Sequence, residues 1–390
     1  MGVPITYNLR NLAQRKGTTF MTALGIGLTV AVLVTALALT EGLRLLFAGS
    51  GNELQLMVLR KGADAELTSS LTSDAYQTIR QFPGIARTAA GDPMVSPEGL
   101  AVVNLPNIED PTNLDGMNVS VRGILPIGVS MRDFAIKQGV MFEPGRRQAI
   151  VGASIAKRYP DAQIGKQIKF GRGEWDVVGI FASGDSAFNN EIWVDLNQLS
   201  GDFDRAGGSS SILVRAESSS ALQALSKQIE ADQRLNAGTI EEKKYYAGQT
   251  SAGEPLQVVG FSVAIIMAIG SAFAATNTMY AAVARRSREI GTLRALGFPR
   301  GAILRSFVLE SVFLSLIGGI AGVLIALPIN GLTTAVGNFN TFSDVTFHFR
   351  ISPIAIAAGL GFAAAIGLIG GFIPAWSASR RDIIQAMREG

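Results

Sequence analysis

Cysteine is absent from this chain of 390 residues, and histidine occurs once, as His348. Without cysteine there are no disulfides, so any exported part must be held by its core alone. With a single histidine as well, a zinc site is not expected. His348 lies in Phe347-His348-Phe349, read as an interfacial aromatic cluster, and no histidine lies near Asp185-Ser186, which excludes a serine triad there. No G-x-x-x-x-G-K-[ST] occurs; the nearest piece, Gly165-Lys166-Gln167, lacks the spacing and the hydroxyl needed to cradle phosphate. Gly171-Arg172-Gly173 lacks the rest of a dinucleotide fingerprint. Glu191, Asp202 and Asp204 read as scattered, solvated loop acids. No catalytic, cofactor-binding or metal residue is therefore expected in this chain. Charge is sparse at 17%, and a net +3 crowded beside apolar runs argues against nucleic acid as a partner.

What the chain does have is length in its apolar runs. Four segments, about Phe20–Leu39, Val258–Val283, Phe307–Leu327 and Ile354–Ile373, carry almost no charge. About 20 apolar residues are what a helix needs to cross a ~30 Å hydrocarbon core, and a helix satisfies its own backbone where lipid cannot. Arg10, Arg15 and Lys16 precede the first run; Arg285, Arg286, Arg288, Arg294, Arg300 and Arg305 lie between the second and third; Arg380, Arg381 and Arg388 follow the fourth. The third-to-fourth link carries only Arg350. The positive-inside rule then places both termini and the second-to-third loop in the cytoplasm, and the long insert outside. Ala36-Leu37-Ala38 resembles a signal-cleavage site, but the run exceeds the usual h-region, so a retained anchor is expected.

The expected layout is an interfacial helix at 1–17, spans at 18–41, 256–284, 303–329 and 353–374, and an extracytoplasmic domain at 42–255. A cytoplasmic loop at 285–302, a short external link at 330–352 and a tail at 375–390 complete it. In the first piece Ile5, Leu9 and Leu12 share a helical face, with basic residues available to headgroups. The fold class is an α+β membrane protein: four transmembrane helices with a large α/β domain between the first two.

Within the insert, Leu54, Leu56 and Val58 alternate as in a half-buried strand. Ser73 is placed to cap a helix running to Phe82, ended by Pro83-Gly84. The order recurs at the far end, where Ile212 and Val214 alternate before an amphipathic helix over Ser218–Leu235. These strand–helix units read as paired halves of one membrane-proximal subdomain. Between them, about Val119–Leu199 reads as a β-rich subdomain with a hairpin at Gly171-Arg172-Gly173. Asn104–Asn118 reads as a loop; it and Gly184–Asn190 are the candidate external tips.

In the spans, Glu310 is the one clear intramembrane charge, about a turn into the third, and is expected to pair with a nearby base such as Arg305. Gly318/Gly322 and Gly367/Gly371 have small-xxx-small spacing, echoed by Gly270/Ala274, which allows close packing within one subunit or between two. The most specific stretch is the loop from Arg285 to Gly297. It reads as a short helix with Ile290, Leu293 and Leu296 on one face, ringed by Arg288, Glu289 and Arg294 and closed by Gly297-Phe298-Pro299.

Arg288-Glu289-Ile290-Gly291-x-Leu293-Arg294-Ala295-Leu296-Gly297 resembles the coupling-loop signature of MacB/FtsX-type ABC transporter permeases. The likeness continues in Phe307-x-x-Glu310, Gly318-Gly319-x-x-Gly322 and the tail Pro374-Ala375-x-x-Ala378-x-Arg380-Arg381 with Ile384-x-Ala386-Met387-Arg388. Asn8-Leu9-Arg10-Asn11-Leu12, Leu24-Gly25-Ile26-Gly27 and the helix-then-insert pattern add to it. The resemblance implies an extracytoplasmic porter-plus-Sabre domain, a stalk from the first two helices, and a 288–297 helix seated in a cytoplasmic ABC ATPase. It departs from MacB in having no ATPase at its N-terminus, so ATP and Mg would belong to a separate chain. The implied partners are that ATPase, a second permease copy (identical or different), a periplasmic adaptor and the lipid bilayer, in a bacterial inner membrane. Export is the favoured outcome. Lipoprotein extraction of the LolC/LolE kind, FtsX-like regulation of a wall hydrolase, and a membrane-anchored receptor are the alternatives.

Overall fold

The computed structural model of the protein describes residues 16–105, 116–205, 207–338 and 342–380. It divides into two compact units. One comprises Met1–Gly42, Gly253–Leu332 and His348–Gly390; the other comprises Leu43–Ala252 and Thr333–Phe347. The interfacial helix expected at 1–17 and the tail motif beyond Arg380 fall almost wholly outside the described residues.

The first unit is a helical bundle. Four helices, Lys16–Ala48, Glu254–Arg285, Arg300–Ala326 and Pro353–Arg380, contain the four apolar spans. At 1.5 Å per residue, the first, of 33 residues, is about 50 Å long. Ile26, Val30 and Val34 of the first helix are spaced i, i+4, i+8 and face Val323, Ala326, Ala363 and Ile366 in the buried core. The glycines set how closely the helices approach. A Cβ at Gly318 would stand 2.6 Å from the Ala23 carbonyl oxygen, and one at Gly27 would stand 2.9 Å from that of Gly318. One at Gly319 would meet the Ala363 Cβ at 2.7 Å. The small-residue seams at Gly318, Gly322, Gly367 and Gly371 therefore join the first helix to the third and the third to the fourth within this subunit. Gly270 faces open space. Hydroxyls supply the polar links: Thr29 to Ser271 at 2.8 Å, Thr22 to Thr278 at 2.7 Å, Thr276 donating to the Gly370 carbonyl at 2.8 Å and Ser311 to that of Gly367 at 2.8 Å.

The second unit is built on sheet. Its strands are β1 Gln55–Arg60, β2 Leu71–Thr72, β3 Val95–Leu105, β4 Met117–Ile124, β5 Ala135–Gly139, β6 Gln148–Gly152 and β7 Gln167–Phe170. They continue with β8 Gly173–Ala182, β9 Glu191–Asp195, β10 Gly208–Ser209, β11 Ser211–Arg215, β12 Ala237–Glu241, β13 Thr333–Asn338 and β14 Ser343–His348. Ten of them form one sheet in the order β12-β1-β11-β3-β4-β9-β6-β8-β5, with β7 on β8. β1 and β11 pair antiparallel, Leu56 opposite Val214, so the two ends of the insert close on each other. Their inward residues bury Ile79, Leu222, Leu225 and Ile229 of the covering helices in one core. A second core gathers Val119, Val121, Val151, Trp175, Ile192 and Val194. β3 serves both, placing Val95 in the first and Val103 and Leu105 in the second.

Several local expectations need revision. The helix expected at Ser73–Phe82 runs Ser73–Ile79, and Thr72, not Ser73, accepts the capping N–H of Ala75. The later helix ends at Ala231, capped by Ser218. Of the expected loop at Asn104–Asn118, the ends Asn104 and Asn118 belong to paired strands β3 and β4, and 106–115 lies outside the described residues. Gly184–Asn190 is no free tip: Ser186, Ala187 and Phe188 are buried, and the Ser50 hydroxyl accepts the Ala187 N–H. The third-to-fourth link forms the β13–β14 hairpin and belongs to the insert unit, where Thr346 exchanges backbone bonds with the Asn190 side chain at 3.0 Å each way. Such long-range pairings leave no periodic mark in a short segment.

Candidate functional site

The stretch between the second and third spans builds the site. At Arg286 the second helix stops, and Ser287–Ala295 starts a separate helix. Gly297 closes it at φ +90°, a conformation that costs most side chains strain. The Phe298 N–H donates to the Leu293 carbonyl and the Gly297 N–H to that of Arg294, both at 3.1 Å, completing a Schellman cap. Pro299 then leads directly into the third span.

This short helix is fastened along one side. Ile290 is buried with Met279, Val283, Ile303, Phe307, Ala375 and Ala378, which belong to the second, third and fourth spans. Gly291 and Ser287 are buried beside it. Arg294 donates to the Ser379 carbonyl at 2.9 Å, near the C-terminal, electronegative end of the fourth helix. Arg288, Thr292, Ala295 and Leu296 face outward, and Leu296 is 72% exposed. The apolar stripe expected along Ile290, Leu293 and Leu296 is thus divided: Ile290 anchors the helix, Leu293 is half-buried, and Leu296 points away. Successive three-residue steps drift around a 3.6-residue helix, so the three do not share a narrow face.

Glu310 is buried, and its partner is Arg286 at 2.8 Å rather than the expected Arg305. The same guanidinium reaches Glu289 at 3.1 Å and lies over the Phe307 ring at 5.1 Å. Arg286 thus joins the break in the chain, the first turn of the short helix and the third span. The reading of the sequence missed it because it sits in a run of arginines. The available signal was Glu310, a lone acid in an apolar segment, which calls for a buried cation.

The insert holds a second polar constellation that sequence reasoning missed. Arg122 of β4 uses all five of its N–H donors on three carboxylates: two on Glu66 at 2.7 and 3.0 Å, two on Glu191 at 2.9 Å, and one on Glu98 at 2.9 Å. Arg132 grips Glu98 with two bonds, at 2.5 and 2.6 Å. Ser211 donates to Glu66, and the Trp193 indole to Glu191, each at 2.7 Å. Glu191 and Asp202, taken as solvated, are buried; Asp202 pairs with Arg147, while exposed Asp204 pairs with Arg172. Burial pushes Glu66 up, but the charge and hydrogen bonds of Arg122 outweigh it and hold it below the usual carboxylate range. Glu242 goes the other way: burial raises it to about 7, against the opposing charge of Arg132 and the Asn52 N–H that it accepts at 2.9 Å. Its second oxygen has no hydrogen-bond partner.

The family model of the MacB-like periplasmic core domain matches residues 19–232, and that of the FtsX-like permease C-terminal region matches 261–383. This chain belongs to the MacB/FtsX-type ABC transporter permeases. It is thus a multi-pass membrane permease with an α/β domain between its first two spans. Over 97% of both chains, this permease is 25% identical to the uncharacterized ABC transporter permease YknZ of Bacillus subtilis. It is also 25% identical to the macrolide export ATP-binding/permease protein MacB of Shewanella oneidensis, covering 95% of this chain but only 58% of that protein. The permease thus spans little more than half the length of its MacB relatives. The crystal structure of the extracellular domain of a YknZ aligns with 48% of the permease at a TM-score of 0.36 and 14% identity.

Proposed function

We propose that this permease couples ATP hydrolysis in a separate cytoplasmic ATPase to movement of its extracytoplasmic domain, for export through a periplasmic adaptor. The observation that carries this reading is the Ser287–Ala295 helix, fixed to three spans on one side and open to a partner on the other. A helix so held moves with its spans, and force applied to Leu296 and Arg288 passes through Ile290 and Arg286 into them. On this reading both termini and the helix lie in the cytoplasm of a bacterial inner membrane. Two permease copies, identical or different, each seat one ATPase that binds ATP and Mg. The coupling requires two arrangements that ATP-bound and ATP-free partners favour differently. The macrolide-export name of the Shewanella relative supports an exported small molecule as the substrate class.

The test is co-purification in mild detergent, followed by ATPase and transport measurements. Leu296→Asp with Arg288→Glu should release the ATPase. Glu310→Gln should retain it and raise hydrolysis without transport, because the outer face stays intact while the brace is loosened. An ATPase that stays bound to the outer-face variant, or never accompanies the permease, overturns the reading.

A further inference from the structure

A cavity of about 450 Å³ opens in the insert where β3 passes from one core to the other. Its floor is Gly99–Ala101, the point at which β3 exchanges β11 for β4 as its partner. Leu100 is held there on both sides: its N–H donates to the Ser210 hydroxyl at 3.0 Å, and its carbonyl accepts from Arg205 at 3.0 Å. Leu199 and Phe203 give one wall an apolar surface, and Ser70 and Ser209 bring hydroxyls from the other. The volume is that of a pocket for a small organic molecule, and a seam between two cores is a usual place for one.

The charges on its rim are one-sided. Arg60 and Arg205 both line the cavity, and among the described residues neither meets a carboxylate. The Arg60 guanidinium donates to the Thr68 carbonyl at 3.3 Å, and that of Arg205 to the Leu100 carbonyl. The one acid in the lining, Asp204, is engaged by Arg172. Arg122, Arg132 and Arg147 of the same unit each hold a carboxylate. A guanidinium presents its donors in a planar fork that fits carboxylate, sulfonate or phosphate oxygens. We propose that this cavity binds a small organic anion, its charged head on Arg60 and Arg205 and its apolar body against Leu199 and Phe203.

The probe is 2-naphthoate, titrated calorimetrically into the full chain in lipid nanodiscs, with empty discs as the blank. Arg60→Ala and Arg205→Ala should each weaken binding by about tenfold, the loss of one charged hydrogen-bond partner. The neutral 2-naphthamide should bind at least about tenfold more weakly than naphthoate for the same reason. If the alanine variants melt early by tryptophan fluorescence, the double variant Arg60→Lys/Arg205→Lys and the amide decide, since lysine keeps the charge and binding should persist. No heat beyond the blank, equal affinity for naphthoate and naphthamide, or unchanged affinity in folded alanine variants overturns the proposal. So does inorganic phosphate binding as tightly as naphthoate, which would mean that the apolar wall takes no part. None of these readings needs the ATPase, so the outcome is independent of the transport mechanism.

Discussion

In the insert, Arg122 and Arg132 lie out of solvent among Glu66, Glu98 and Glu191, every donor of Arg122 taken. In the bundle, the buried polar groups described in the spans are mainly hydroxyls that bond across helices or to neighbouring carbonyls, joined by the buried Arg286–Glu310 ion pair. Glycine fits the bundle because it lets backbones touch; strand pairing fits the insert because it can hold charges in a fixed register. The difference has a physical origin. Apolar helices in lipid gain little from excluding water, so they cohere by close packing and small polar links. A domain in water can bury charge only if the geometry is complete, and then the charges lock one arrangement. The insert is thereby held by a complete network of charges, whereas the bundle is held by close backbone contact along its glycine seams.

The sharpest way to break this comparison is Arg122→Met, which leaves three buried carboxylates without their common partner. The loss should be about 3–5 kcal/mol, read from denaturant unfolding followed by the tryptophan fluorescence of the insert, where Trp193 adjoins the network. A loss below about 1 kcal/mol would show that water enters and replaces the arginine.

Next comes pH. The folded pKa of Glu242 is raised from 4.5 to about 7, so the folded state holds this proton more tightly than the unfolded chain. Its contribution is present in full below about pH 4.5 and is lost as pH rises through about 7. Between pH 5 and 8 the insert should weaken by roughly 2–3 kcal/mol from this group, and Glu242→Gln should flatten that slope. Glu66, held low by Arg122, acts in the other direction, losing its contribution only as the pH falls below its ordinary value of 4.5. Thermal melts across this range distinguish the two groups.

For the bundle, Gly318→Leu should cost about 1–3 kcal/mol by forcing the first and third helices apart. Gly270→Leu, facing open space, should fall within about 0.5 kcal/mol of the parent. Equal effects on detergent melting would mean that the seams are not where the helices cohere. In the insert, Arg172→Ala is expected to matter as little as Gly270→Leu, because its pair with Asp204 has both side chains about two-thirds exposed; the loss should stay within about 0.5 kcal/mol and vanish in high salt.

The four spans were legible because about 20 apolar residues have few soluble alternatives. The paired strand–helix ends of the insert were legible too, from the alternation of Leu56/Val58 and Ile212/Val214 and the helical spacing of Leu222, Leu225 and Ile229. Much of the short helix around Ile290 was visible in the same way, since the stop at Gly297-Phe298-Pro299 is local chemistry. Glu310 announced a buried partner but not which one, because Arg286 and Arg305 both lie within reach along the sequence. The charge network was invisible: Glu66, Glu98, Arg122, Arg132 and Glu191 are spread over 126 positions and look like ordinary surface residues.

The sequence by itself determined which segments are long and apolar enough to span lipid and, at Gly297-Phe298-Pro299, where a helix stops, because each of these depends on neighbours within a few residues. Tertiary structure alone decided which arginine meets which acid, that the third-to-fourth link joins the insert as β13–β14, and that the glycine seams close within one subunit. A charge becomes a buried partner only after distant strands have paired and excluded water, and no local pattern encodes that event.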